Sequence, residues 1–350
     1  MEERIVLAKK MQLPVISRLK IMGGMDIAER RIPQDGRVNL KFMGNRIDLR
    51  LSTYPTMYGE KAVIRLLAKE GVIGLEDLGF SEEDRNRFSE LILKPHGIFL
   101  VTGPTGSGKT TTLYAALQKV NSQEKNIISV EDPIENEING VAQAQVNTKA
   151  GLTFASALRS ILRQDPDIIM VGEIRDRETA DIALRSAMTG HLVFSTLHTN
   201  TAIGAVGRLV DLGVERFLIS SAMLGVLSQR LVRKICPECK VEVKPDPGHL
   251  AFFSKIEGFA QKIPKGGIKL FRGKGCKACR MMGYKGRLGI FELVTFNEKL
   301  KKLIADGASE EELKKLVRSE GIRDIIEEGA LKAISGATTI EEVIRVTQEE

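Results

Sequence analysis

Residues 98–112 read Ile-Phe-Leu-Val-Thr-Gly-Pro-Thr-Gly-Ser-Gly-Lys-Thr-Thr-Thr. The apolar run 98–101 predicts a short buried strand. It leads into Gly103-Pro104-Thr105-Gly106-Ser107-Gly108-Lys109-Thr110, which satisfies the phosphate-loop pattern G-x-x-x-x-G-K-[ST] at every fixed position. Glycines let the backbone turn tightly and bring N–H groups against a polyphosphate. Lys109 offers a cation to the outer phosphates and the Thr110 hydroxyl a ligand to Mg²⁺, so 103–111, Thr111 included, reads as the binding segment for ATP and Mg²⁺. A helix is predicted from Lys109 to about Val120, its positive dipole end facing the phosphates.

Downstream, apolar strands alternate with helical stretches. Strands are predicted at 127–130, 168–171 and 192–195, and helices at 154–163 and 178–188. This is the β-α-β rhythm of a parallel sheet covered on both faces by helices. In such sheets functional side chains collect where strands end at their carboxyl edge. Three strand ends carry Glu131-Asp-Pro-Ile-Glu135, Gly172-Glu173-Ile-Arg-Asp176 and Ser195-Thr-Leu-His198-Thr199. Carboxylates at the end of an apolar strand require a partner, since isolated buried charge is costly. Mg²⁺, an attacking water or an arginine would each serve, and together with the phosphate loop these segments form a nucleotide-hydrolysis site. Taken alone, His198 reads equally as a hydrogen-bonded structural residue.

Upstream, residues 1–70 read as a small α+β unit. A helix is predicted over 14–22. A hairpin follows over 38–52 about a Gly44-Asn45 turn signal, and a further strand runs over 61–67. The unit is rich in guanidinium groups, among them Arg37, Arg50 and Arg65, each of which taken singly reads as part of a solvated sheet face. Residues 71–96 form a connector, with Gly71, Gly74 and Gly79 as flexible points, and a helix capped by Ser81. After the sheet-forming segment 97–235 comes a stretch, 236–292, that holds all four cysteines as Cys236-Pro-Glu-Cys239 and Cys276-Lys-Ala-Cys279. Paired C-x-x-C knuckles in a reducing compartment read as a closed, structural Zn²⁺ site. Residues 293–350 are helical, with acidic first turns and apolar residues at three-four spacing.

Composition narrows the class. A net charge of +7 over 350 residues permits an acidic partner such as a membrane surface or nucleic acid. No Trp and 5% aromatics argue against a groove that stacks single-stranded bases. No run approaches eighteen apolar residues, so no membrane-spanning helix is expected, and no signal peptide is read at the N-terminus; a cytoplasmic location follows as an expectation.

Gly103–Thr110, Glu131–Glu135, Gly172–Asp176 and Thr196–Thr199 resemble the Walker A, Asp box, Walker B and His box of the type II secretion and type IV pilus-assembly motor ATPases (GspE/PilB type). The resemblance extends from Ile27-Ala-Glu-Arg-Arg-Ile-Pro-Gln-Asp-Gly-Arg37 through Leu51-Ser-Thr-Tyr-Pro to Gly286-Arg-Leu-Gly-Ile-Phe-Glu292, and the cysteine pairs match the zinc module of the assembly branch. It implies a RecA-like P-loop ATPase core, preceded by a small PAS-like α+β domain and followed by a four-cysteine zinc module and a helical C-terminal segment. It implies a homohexamer docked on an inner-membrane platform protein, peripheral to the membrane and using ATP, Mg²⁺ and structural Zn²⁺. The family's N-terminal docking domain has no counterpart here, so a shortened form is expected. Gly172 stands where other P-loop enzymes place an Mg²⁺-binding Asp, which is the family's own habit.

In the implied mechanism Glu173 polarises water or organises the metal's water shell, and Glu131 is able to share that role. His198 senses the γ-phosphate, and Arg37, Arg50 and Arg65 are the candidates for the positive charge that phosphoryl transfer demands. Three alternatives stand beside it: a RecA-type nucleic-acid translocase or helicase, a non-catalytic nucleotide-binding scaffold, and a P-loop kinase. No nucleic-acid partner is expected.

Overall fold

The computed structural model describes residues 5–42, 45–67, 73–263 and 267–348. The chain divides into two compact units, 1–71 and 72–350.

The first unit pairs a helix, α1 (Gln12–Met22), with three strands, β1 (Gln34–Phe42), β2 (Asn45–Thr56) and β3 (Gly59–Leu67), in an antiparallel sheet of order β1-β2-β3. Its apolar centre is small: Met25, Val38 and Leu51 are buried, with Leu19, Met22, Leu40 and Leu49 packed around them. The predicted helix and hairpin form; the Gly44 of the turn signal lies outside the described residues, as does Gly71 of the connector.

The second unit begins with α2 (Glu82–Ile92), followed by β4 (Gly97–Thr102), α3 (Lys109–Val120), β5 (Ile127–Glu131) and β6 (Val141–Gln145). Next come α4 (Phe154–Ile161), β7 (Ile168–Val171), α5 (Arg177–Met188), β8 (Leu192–Leu197), α6 (Gly204–Asp211), α7 (Arg216–Ala222) and β9 (Met223–Ile235). The chain continues through β10 (Lys240–Val243), α8 (Pro247–Ser254), β11 (Leu270–Gly273) and β12 (Tyr284–Thr295). It closes with α9 (Glu298–Ala305), α10 (Glu310–Ser319), α11 (Ile325–Ile334) and α12 (Ile340–Thr347).

Seven of these strands form one sheet in the order β12-β9-β4-β8-β7-β5-β6, parallel except for β12, which runs antiparallel to β9. Every residue of β4, β5, β7 and β8 is buried. Alternation sends Ile98 and Leu100 to a face covered by α4, α5, α7 and α9, and Phe99 and Val101 to a face covered by α2 and α3. Burial on both faces is why these strands read as continuous apolar runs rather than alternating ones.

The sequence reading does not contain β6, β9 or β12. β6 is Val-Ala-Gln-Ala-Gln, a half-buried edge with little apolar signal. β9 carries Ser228-Gln229-Arg230 at its centre, which breaks the apolar run. The stretch read as a zinc module ends at 292, whereas β12 enters the main sheet from Tyr284 onward. Of the C-terminal helices, α9 and α10 join the apolar cluster that contains Ile98 and Leu100, through Leu300, Ile304, Leu313 and Val317. Ala330, Ala333 and Ile340 of α11 and α12 instead pack with Phe253, Phe259 and Leu270 in a separate cluster.

Candidate active site

Because β4, β5, β7 and β8 are parallel, their carboxyl ends lie along one edge of the sheet. The phosphate loop leaves β4 there and α3 starts at Lys109, its first amides lacking intrahelical acceptors. Gly103 (φ +146°) and Gly108 (φ +89°) adopt backbone conformations that disfavour a side chain, and an added Cβ would meet Gln229 O at 2.5 Å or Gln229 Nε2 at 2.9 Å. Around Gly106 an added Cβ would meet nothing within 4 Å, so the loop curves over open space. Ser107 Oγ is buried with no hydrogen-bond partner among the described residues. An open cradle edged by glycine and a buried orphan hydroxyl suits a bound polyphosphate.

A cleft of about 380 Å³ opens on this edge, within the size range of ligand pockets. It is lined by Thr105, Gly106, Gly108, Lys109, Thr110 and Thr111 of the loop, and by Glu131, Glu173 and His198 of the three strand ends. Lys109 Nζ donates to Gly103 O at 2.8 Å and Pro104 O at 3.0 Å. Burial pulls its ammonium down to about 8, against the pull of Glu173, which holds the charge on.

The two candidate carboxylates differ in setting. Glu131, 2% exposed, accepts from Tyr114 Oη on one oxygen, and from Ser129 Oγ at 2.6 Å and Gln143 Nε2 at 3.0 Å on the other. Burial and the Glu131 carboxylate both push the Tyr114 hydroxyl upward, so it stays a proton donor. Glu173 faces the cleft with partially exposed partners: Arg175 donates to one oxygen at 2.6 Å and His198 Nε2 stands 3.6 Å from the other. Partial burial and then Lys109 lower His198, leaving its imidazole neutral near pH 7.

The three predicted arginines occupy one rung of the first unit's sheet: Arg37 pairs with Arg50 across β1–β2, and Arg50 with Arg65 across β2–β3. All three are exposed, and among the described residues none has an ion-pair partner. Like charges directly opposite one another are destabilising, so the rung is costly unless an anion meets it.

The four cysteines converge. Their Sγ atoms all lie within 4.8 Å of one another, with Cys236–Cys276 and Cys239–Cys279 at 3.8 Å and Cys276–Cys279 at 3.7 Å. A tetrahedral ion with Zn–S bonds of about 2.3 Å needs sulfur separations of about 3.8 Å. The backbone N–H groups of Cys276 and Gly283 point at Cys279 Sγ, each at 3.2 Å, a donor set that supports thiolate. The residues therefore fit zinc.

Sequence reasoning missed Tyr114, Arg175, Gln229 and Arg287 as site components. Arg287 enters the cleft wall from β12, a strand whose place in the sheet the local sequence pattern does not reveal. Gln229 had a legible signal, a polar residue in the middle of an apolar strand. Tyr114 had a weaker one, a hydroxyl on the otherwise apolar buried face of α3.

Fold and site together define a P-loop α/β nucleotide-hydrolysing protein, and comparison with known proteins narrows that class. The family model described as "Type II/IV secretion system protein" matches residues 2–345. The type II secretion system protein E of Pseudomonas aeruginosa is 53% identical over 352 residues, 99% of this chain and 68% of its own length. The type IV pilus assembly ATPase PilB of Thermus thermophilus is 54% identical over 336 residues, 96% of this chain and 37% of its own. Among solved structures, the pilus retraction motor PilT with bound ADP superposes with a TM-score of 0.64 at 28% identity, covering 95% of this chain and 79% of that one. The ATPase DotB of Legionella pneumophila shares the fold, with a TM-score of 0.69 at 19% identity over 99% of this chain and 86% of its own. The chain belongs to the type II/IV secretion system protein family and is an ATPase like its secretion and pilus-assembly members. Among the described residues, no helix is long and apolar enough to cross a membrane.

Proposed function

We propose that this chain is the ATP-hydrolysing motor of a type II secretion or type IV pilus-assembly system. It would work as a homohexamer in the cytoplasm against an inner-membrane platform protein, peripheral to the membrane. The observation that carries this reading is the convergence of the phosphate loop, Glu131, Glu173 and His198 on one cleft at the carboxyl edge of the sheet. The amides of 105–109 and the Lys109 ammonium would hold the phosphates, and the Thr110 hydroxyl would hold Mg²⁺, which when bound neutralises developing charge. Glu173 is the better candidate to orient the attacking water, because both oxygens of Glu131 are engaged by buried partners. His198, neutral and 3.6 Å from Glu173, would exchange that contact for one with the γ-phosphate. The rung Arg37–Arg50–Arg65 would supply positive charge to the triphosphate, so that closing and releasing the first unit becomes movement. Cys236, Cys239, Cys276 and Cys279 would hold Zn²⁺ as a structural ion.

Phosphate release by the full chain tests the site. Lys109→Ala is expected to abolish turnover, and Glu173→Gln to keep ATP binding while losing at least about a hundredfold in kcat. Near-normal hydrolysis by Lys109→Ala would overturn the assignment. Elemental analysis is expected to find one zinc per chain, lost together when Cys236 and Cys276 are both replaced by Ser.

A further inference from the structure

Ser228-Gln229-Arg230 interrupts the apolar run of β9, and no step above uses it. β9 lies beside β4 in parallel register, from Phe99↔Gly225 to Thr102↔Ser228, so Gln229 arrives where β4 gives way to the phosphate loop. Alternation along a strand sends Leu227, Gln229 and Leu231 to one face and Ser228 and Arg230 to the other.

The contacts follow that division. Gln229, 2% exposed, donates from Nε2 to Ser107 O at 2.6 Å and accepts at Oε1 from Thr112 Oγ1 at 2.8 Å. A carbonyl only accepts, so the Ser107 contact fixes which end of the amide faces the loop. The backbone carbonyl of Gln229 sits under Gly103 and its side-chain nitrogen under Gly108, filling the floor of the loop. On the opposite face Ser228 Oγ donates to Asn200 O at 3.0 Å, and Arg230 donates to the same carbonyl at 3.2 Å. Asn200 lies two residues beyond His198.

We propose that Gln229 is a positioning residue for nucleotide binding. In a trans peptide plane C=O and N–H point in opposite directions. Clamping the Ser107 carbonyl onto Gln229 therefore turns the Gly108 N–H away from the floor, toward the side where phosphate would lie. The same strand, through Ser228 and Arg230, ties down the segment after His198, so one rigid element sets the spacing between the phosphate loop and the histidine loop. This inference rests on the reading of 103–111 as the nucleotide site.

The test measures KM for ATP, kcat and Tm for the full chain and three variants. Gln229→Leu removes both bonds and leaves a buried carbonyl without a donor; KM is expected to rise about tenfold or more, with kcat falling less. Gln229→Glu, nearly the same size, keeps the acceptor for Thr112 but sets an anion against the Ser107 carbonyl, and its KM is expected to rise further. It also keeps the test open if the leucine chain does not fold. Thr112→Val removes only the helix bond, and is expected to lower Tm while KM stays within about twofold. Unchanged KM in the folded Gln229 variants, or an equal rise in Thr112→Val, would overturn the proposal by making Gln229 mere packing. Failure of the underlying site reading is a separate outcome: it appears as normal turnover in Lys109→Ala.

Discussion

Among the described residues of 5–67 the buried apolar side chains are Met25, Val38 and Leu51, and the most deeply buried long side chain is charged: Lys20, 1% exposed. Its ammonium meets Glu60 Oε1 at 2.5 Å and Glu29 O at 2.6 Å. Among the described residues of 73–348, by contrast, two large apolar clusters pack either face of the sheet, with Glu131 buried at its carboxyl edge and Glu328 and Glu342 buried and ion-paired on the C-terminal helices. The first unit thus sets its buried Lys20–Glu60 pair beside a small apolar cluster, and leaves Val63, Ile64 and Leu66 of β3 exposed. A buried pair is weak evidence of stability, because desolvation offsets its attraction. The two regions therefore divide the labour: the second unit stores stability around a fixed site, and the first carries an exposed row of arginines on a lightly held frame.

Substitutions probe that division, beginning with the one of greatest consequence. If the arginine rung stabilises transferred phosphate, Arg50→Ala is expected to lower ATP turnover by about a hundredfold or more. Its Tm should stay level or rise slightly as repulsion across the rung is relieved. Steady-state kinetics and calorimetry on the same sample check this, and unchanged turnover would return Arg50 to an ordinary solvated position.

Next is Lys20→Met, which strands the Glu60 carboxylate in a nearly dry site and is expected to cost about 3–5 kcal/mol, confined to the first unit. Hydrogen exchange should rise across 5–67 and stay unchanged in β4, β7 and β8. The double variant Lys20→Met with Glu60→Leu is expected to recover most of the loss. If the single variant loosens the sheet core equally, the two regions are not independent in stability.

A more modest change is expected at Glu292 on β12. Burial lifts its carboxyl to about 7, opposed by the Ala202 N–H that donates to it at 2.9 Å. Asp324 adds to the rise, while Lys314 and Arg230 oppose it. A carboxyl raised above its ordinary value favours folding while protonated, so this stability is full below about pH 4.5 and is lost as pH rises through about 7. Glu292→Gln keeps an acceptor for Ala202 without the charge. It is expected to match the parent near pH 4 and exceed it by about 3 kcal/mol, a few degrees in Tm, at pH 8. A pH-independent difference would remove Glu292 as the cause.

The phosphate loop with its flanking strand and helix, the three polar strand ends and the cysteine knuckles are all legible in the chain without coordinates. Each is a local pattern: a strand buried on both faces is continuously apolar, a loop that must adopt positive φ carries glycine, and a pair of thiols on one tight turn is written as C-x-x-C. Pairing across distance emerges only once the chain is folded. Arg37, Arg50 and Arg65 lie on three different strands and become one rung only through strand register. β12, 284–295, joins the sheet after the long excursion through the cysteine knuckles, and Gln229 meets Ser107 across 122 positions. Local propensity has no term for such partners; they follow from which strand lies beside which, and that is settled by burying two faces of a single sheet at once.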